Sequence, residues 1–279
     1  MEQALNETPH VNYPLIDGHS HIDQFEPVII NHIIDRALQV NVQLIISAGT
    51  TIESCKKVIE LANTYPIIRG GIGLHPADLL DWVTDKDVQE LRRLAQHPQI
   101  VEWSETGLDY MPGSPPHDLQ KDAFRKQIQL AKEYGLPLVI HSREADEDSL
   151  KILSEEHVEE VGGAWHYFQG DLNMADKVIK LGFKLSLAKP LLRDPALQDT
   201  VEQLPLDSLV IETDSYPQLF KKNPIRRTEP WHLPQVAEKI ADLHRIDIDI
   251  VAKETTENYL TMLNNRVDKK LTFDQCRQV

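Results

Sequence analysis

Two hydrophobic rhythms alternate along this chain. Short continuous apolar runs, such as Val42-Gln43-Leu44-Ile45-Ile46-Ser47-Ala48-Gly49, have the length and closing glycine of strands. Between them, apolar residues recur every three or four positions, as Ile29, Ile30, Ile33, Ile34, Ala37 and Leu38 do from Val28 to Val40, the stripe of an amphipathic helix. In order, the pattern predicts a strand from Leu15, that helix, the strand Val42 to Gly49, a helix Thr51 to Thr64 and a strand Ile67 to Pro76. A helix Asp85 to Gln96, a strand Ile100 to Gly107, a helix His117 to Tyr134 and a strand Leu136 to His141 follow. Then come a helix Ala145 to Glu156, a strand Gly163 to Phe168, a helix Leu172 to Leu181, a strand Phe183 to Ala188, a short helix near Pro195 to Gln203 and a strand Ser208 to Asp214. Two helices, His232 to Leu243 and Ile248 to Leu263, end the pattern.

Eight strands alternating with helices over about 250 residues is the count and length of a (β/α)8 TIM barrel, an α/β fold. The rival, an open doubly wound sheet, lacks a G-x-G-x-x-G opening a helix after the first strand. The expected organisation is an N-terminal tail over 1–12, a single barrel over 13–265 and a C-terminal tail over 266–279. In such a barrel the C-terminal strand ends share one mouth, so residues far apart in sequence converge there.

Composition narrows the chemistry. The 279 residues hold only Cys55 and Cys276, so metal ligands must be His, Asp and Glu rather than thiolates. A formal charge of −15 argues against a broad nucleic-acid-binding surface. Nucleic acid as a substrate is still allowed, because divalent cations and a local basic rim, such as Arg226 and Arg227, can receive phosphates at one cleft. The first thirteen residues carry Glu2 and Glu7 without a long apolar core, unlike a secretory signal, and nothing later approaches a membrane-spanning length. A cytoplasmic enzyme with no membrane partner is the expectation.

The run Leu15-Ile16-Asp17-Gly18-His19-Ser20-His21 ends in two histidines one residue apart, which on a strand project from the same face. With 12 histidines, chance alone supplies roughly half an H-x-H, so the pair needs companions. They exist: His75, Glu105, His141, His166 and Asp214 all fall at predicted strand ends. His10, His32, His97, His117, His157, His232 and His244 lie elsewhere and read as solvated or structural.

The segments Asp17-Gly18-His19-Ser20-His21, Gly71-Ile72-Gly73-Leu74-His75-Pro76, Glu105-Thr106-Gly107-Leu108-Asp109-Tyr110, Leu136-Pro137-Leu138-Val139-Ile140-His141-Ser142-Arg143 and Glu212-Thr213-Asp214 resemble, in order, the signatures of the TatD-type metal-dependent hydrolases, the TatD DNase family of amidohydrolase-like barrels. Coverage runs from about Leu15 to Leu263. The resemblance implies two divalent metal ions, with His19 and His21 on the first, Asp214 completing it, Glu105 bridging, and His141 and His166 on the second. A carboxylate has two oxygens and can bridge cations roughly 3.5 to 4 Å apart, whereas a neutral imidazole offers one nitrogen. Zinc, manganese, cobalt or magnesium suit these donors better than calcium.

The resemblance further implies hydrolysis of phosphodiester bonds in DNA, exonuclease-like, by a water activated between the metals, with DNA bound transiently as the partner. Catalytic roles fall to Glu105 and to Asp214 as proton acceptor; His75 and Arg143 are expected to touch substrate, Arg143 as a phosphate clamp. The alternative substrate is a carboxylic ester, amide or lactone, including an aminoacyl-tRNA ester. A degenerate barrel acting only as a binding partner would have lost ligands, yet each position keeps a competent side chain. Four places depart from the family pattern: Ser104 and Lys189 replace glycines, Tyr167 replaces a small cysteine, and Asp214-Ser215-Tyr216-Pro217 sets the proline one place further from the aspartate than is usual. They alter the pocket wall rather than the ligands.

Overall fold

The computed structural model describes residues 7–223, 227–264 and 266–267, so Arg226 and Cys276 lie outside the described residues. Eight strands run parallel and side by side in sequence order: β1 (Leu15–Ser20), β2 (Val42–Ala48), β3 (Ile68–Ile72), β4 (Ile100–Asp109), β5 (Leu138–Arg143), β6 (Gly163–Trp165), β7 (Phe183–Leu187) and β8 (Leu209–Ile211). A parallel neighbour is reached only by a crossover, and each crossover here carries a helix. These are α1 (Pro27–Gln39), α2 (Ile52–Thr64), α3 (Asp85–Ala95), α4 (His117–Tyr134), α5 (Asp146–Glu155), α6 (Leu172–Lys180) and α7 (Pro195–Val201). After β8 come α8 (Leu233–His244) and α9 (Ile248–Met262).

Local chemistry starts and stops these helices. Thr51 and Thr84 cap α2 and α3 by accepting the backbone N–H groups of Ser54 and Asp87, and Gly135 ends α4 in a left-handed turn. Ile45, Ile68, Leu138 and Leu185 bury themselves under the helical layer. Leu44, Ile46, Val139, Ala164 and Val210 form the interior with Tyr259 from α9 and Leu263 just past its end. Each such side chain contributes about 1.5 to 3 kcal/mol on burial. α9 covers the N-terminal strand ends, where Thr256 donates to Pro14 O at 2.8 Å and Asn258 to Leu209 O at 2.8 Å.

The sheet closes as a (β/α)8 barrel. β1 meets β8 at a seam rather than along a ladder, through a single bridge between Ser20 and Ser215. The Asp17 carboxylate clasps the seam by accepting the Thr213 N–H at 2.8 Å and its hydroxyl at 2.6 Å.

Several strands stop short of the predicted ends. β3 ends at Ile72, β6 at Trp165 and β8 at Ile211, so His75, His166 and Asp214 stand just past their strands. Left-handed backbone at Tyr167 and Asp214, with φ of 51° and 50°, turns the chain away from the ladder beside two of them. β4 instead runs on to Asp109, and β5 spans Leu138 to Arg143 rather than Leu136 to His141. His232 belongs to a short 3-10 turn, Pro230–His232, that precedes α8.

Candidate metal centre

Strand ends gather the predicted residues around one carboxylate. Glu105 is buried, with Oε2 at 3.4 Å from His19 Nε2 and 3.6 Å from His21 Nε2. Its Oε1 lies 2.7 Å from His141 Nδ1, 3.5 Å from His166 Nε2 and 3.7 Å from His75 Nε2. Asp214 Oδ1 stands 3.5 Å from His21 Nε2. Donor atoms within 4.8 Å of one another form three overlapping sets: His19, His21 and Glu105; His75, Glu105 and His141; His19, His166 and Asp214. Gly107 permits this convergence: its φ is +146°, and a Cβ there would fall 1.9 Å from His141 O.

The far nitrogens of the four histidines His19, His21, His141 and His166 are all spoken for. His21 Nδ1 faces Ala48 O at 3.0 Å, His141 Nε2 faces Asp109 Oδ2 at 3.1 Å, His166 Nδ1 faces Glu212 Oε1 at 2.7 Å, and His19 Nδ1 faces Ser104 Oγ at 3.3 Å. A ring proton donated outward leaves a lone pair on the inner nitrogen, which is how second partners prepare imidazoles for a cation. Glu212 is itself held by the Tyr167 N–H at 2.8 Å and the Ser186 hydroxyl at 2.5 Å.

His75 differs. Its Nδ1 accepts the Ala77 N–H at 3.1 Å, so the neutral ring carries its proton on Nε2, which faces His141 Nδ1 at 3.2 Å at the edge of the cleft. Burial lowers His75 to about 4, which keeps it neutral near pH 7.

The residues present fit divalent cations. His19 Nε2 is buried without a hydrogen-bond partner among the described residues, and four imidazoles with two carboxylates form a nitrogen and oxygen donor set of the right type. Charge agrees. Burial disfavours the imidazolium at His21, yet the hydrogen bond to Asp214 and the charge of Glu105 bring it up to about 9. At His166 burial is likewise outweighed by Glu212 and Glu105, which raise it to about 10. Burial also opposes the ionised form of Glu105, but His75, His166 and His141 hold it well below the usual carboxylate range. The field that stabilises protons here favours a cation that displaces them.

Asp109 and Glu212, which strand-end reasoning left without a role although both stand in the quoted motifs, face the outer nitrogens of His141 and His166. Their signal was an acid near each inward histidine. Ser104 supplies an outward partner for His19 where the family usually has glycine. Ser104→Ala is expected to weaken metal retention about tenfold, the low end for losing such a partner, measurable by competition with a chelator. Unchanged affinity would show that His19 needs no fixed tautomer.

Beneath the centre, Tyr259 fills the space beside Gly18, where a Cβ would lie 2.3 Å from its ring. The phenol oxygen is 2.6 Å from Gly18 O and 2.6 Å from Glu102 Oε2. One hydroxyl hydrogen cannot serve two acceptors, so Tyr259 donates to Gly18 O and a protonated Glu102 donates to Tyr259. Burial pushes the Glu102 carboxyl from 4.5 up to about 8. A raised folded-state value means stability is full below 4.5 and is lost as pH climbs to about 8. The slope is at most about 1.4 kcal/mol per pH unit. Thermal melting of metal-free protein across that window should therefore flatten in Glu102→Gln, whose neutral amide has no proton to lose.

The mouth holds a cleft of about 290 Å3 lined by His21, His75, Glu105, His141, His166 and Asp214 among others. Arg143 is not in that lining; it is exposed at the end of β5, next to Glu144, Asp146, Glu147 and Asp148. Arg227 is partly buried, with Nε donating to Lys221 O at 3.2 Å.

Comparison with known proteins places this geometry. The family model described as TatD related DNase matches residues 16–264. The chain is 37% identical over 250 residues to the Bacillus subtilis protein named uncharacterized metal-dependent hydrolase YabD, covering 88% of this chain and 96% of that protein. It is 29% identical over 262 residues to the human protein named deoxyribonuclease TATDN3, covering 89% of this chain and 94% of that one. The crystal structure of the TatD homologue YjjV from Escherichia coli superposes with a TM-score of 0.82 at 28% identity, over 90% of this chain and 98% of the other. No helix among the described residues is long and apolar enough to cross a membrane. With the barrel, the histidine and carboxylate cluster and the match along both in agreement, the chain belongs to the TatD-related DNase family and is a metal-dependent hydrolase.

Proposed function

We propose that this protein hydrolyses phosphodiester bonds in DNA, releasing nucleotides from ends or single strands, with two divalent cations at the barrel mouth. The observation that carries the reading is the set of four imidazoles, each tied outward to an oxygen and each presenting its inner nitrogen to Glu105. His19, His21 and Asp214 would hold one cation and His141 and His166 the other, with Glu105 serving both. Zinc, manganese, cobalt or magnesium, when bound there, supplies a lowered water pKa and neutralises charge on the phosphoryl oxygens.

The chain's own groups do the rest. Asp214 faces the cleft with its side chain 22% exposed, where it can take the proton of the attacking water. His75 directs Nε2–H inward and hydrogen-bonds the phosphoryl group or the departing oxygen. Asp109 and Glu212 keep His141 and His166 in the tautomers the centre needs. The DNase name of the human relative supports the substrate class.

The test is incubation of metal-loaded protein with 3′-labelled single-stranded DNA beside a panel of carboxylic esters. Nucleotide release from DNA, lost in Glu105→Ala, is the expected result. Turnover of the esters with none of the DNA would move the substrate to acyl chemistry.

A further inference from the structure

A cleft of about 290 Å3 takes a phosphate and the atoms next to it, not a run of nucleotides, so a polymer substrate must be held outside it. Charge around the mouth is unevenly placed. After β3 come Asp78 and Asp81, and after β5 come Glu144, Asp146, Glu147 and Asp148. These sides repel phosphates. The loop after β8 is the reverse: residues 215–228 contain four cations and no acid, in a chain of net charge −15.

Three cations stand on the loops that follow the paired neighbours β7 and β8. Lys189 opens the 3-10 turn Lys189–Leu192 directly after β7, and Arg193 closes it. Lys221 extends from the β8 loop, its Nζ donating to Gln218 Oε1 at 2.5 Å. Burial first, and then the charges of Lys221 and Arg193, lower the proton affinity of Lys189; burial and the Arg193 charge do the same to Lys221. The same side of the mouth carries Tyr167, just past β6, whose ring lies 5.6 Å from that of His166.

Beside the cations stands an aromatic platform. Phe220 is 71% exposed and Leu219 is 76% exposed, while the base of their loop is braced by the Thr228 N–H donating to Gln218 Oε1 at 3.1 Å. Lys221 Nζ sits 5.8 Å from the centre of the Phe220 ring. A fixed aromatic face next to a line of cations is the combination that binds single strands, bases stacking while phosphates pair.

We propose that Lys189, Arg193, Lys221 and Phe220 form a subsite for single-stranded nucleic acid, gripping the phosphates next to the scissile bond on the β7 and β8 side and stacking one base. It rests on the phosphodiesterase reading for its purpose but not for its measurement. The subsite assigns the phosphate contacts to this side of the mouth and leaves Arg143, on the acidic side, outside them.

The experiment measures fluorescence anisotropy of a fluorescein-labelled phosphorothioate dodecathymidylate, which resists cleavage, with the full-length metal-loaded protein over a salt series. K189A/R193A/K221A is expected to weaken binding by about 10- to 100-fold. It should also flatten the slope of log affinity against log salt by about 2, three phosphate contacts at about 0.7 each. Phe220→Ala should weaken binding about tenfold without changing that slope. Lys151→Ala, a lysine 69% exposed on α5, serves as the control and should bind as wild type does. Circular dichroism and metal content check that the variants are folded and loaded. Wild-type affinity and slope in the triple variant, or wild-type affinity in Phe220→Ala, overturns the subsite. Rim-dependent binding without cleavage of ordinary DNA overturns the phosphodiesterase reading and leaves the subsite standing.

Discussion

Glu105→Ala is expected to strip the protein of bound metal and to lower hydrolysis by about 10^3-fold or more, because among the described residues this carboxylate is the only group within reach of all four inward-facing imidazoles. Loss of an outer partner costs about 10- to 100-fold in metal affinity, and loss of the shared inner ligand must exceed that. The variant also leaves the imidazoles of His19, His21, His141 and His166 without their common negative charge. His21 and His166 should then shed protons at a lower pH, since Glu105 is among the charges that raise both. Metal analysis after dialysis, with activity measured at saturating metal, checks the point. Full metal occupancy in Glu105→Ala would disqualify it as the bridge.

Asp214→Asn carries the second large effect, an expected fall in kcat of about 10^2- to 10^4-fold at saturating metal. Asparagine keeps the shape and one oxygen donor, and it tolerates the left-handed backbone at φ 50° as aspartate does, so the fold and most of the metal affinity should persist. What it cannot do is accept a proton. A variant with unchanged kcat would show that the water's proton goes elsewhere, with His75 the next group in the cleft. A rise in KM alone would make Asp214 a binding group.

Some groups were invisible to one-dimensional reading for specific reasons. His75 and His141 look alike in sequence, each at a strand end; only the Ala77 N–H, bound to Nδ1 of His75, makes one a donor and leaves the other a ligand candidate. Glu212 and Asp214 share one motif, and the turn at Asp214 decides which carboxylate faces the cleft and which supports His166. Glu102 and Tyr259 are 157 positions apart, so no local pattern could pair them. Arg143 was legible as a cation two residues after a candidate ligand, but its place on the acidic side of the mouth depends on how the β5 end is oriented.

By itself the sequence determined the barrel and the edge where the candidate metal ligands gather. Hydrophobic period is set by local geometry, about two residues per repeat in a strand and 3.6 in a helix, so it can be read without coordinates, and eight repeats leave one plausible closure. Ligand chemistry travels with residue type, so five histidines and two acids at strand ends were recognisable from their placement. Which nitrogen of each ring faces inward, which acid supports and which is exposed to substrate, and where the cations of an acidic chain collect were decided only by the tertiary structure. Those properties belong to pairs of atoms brought within about 3 to 4 Å across the barrel, a distance range over which hydrogen bonding and charge act and which sequence separation does not encode.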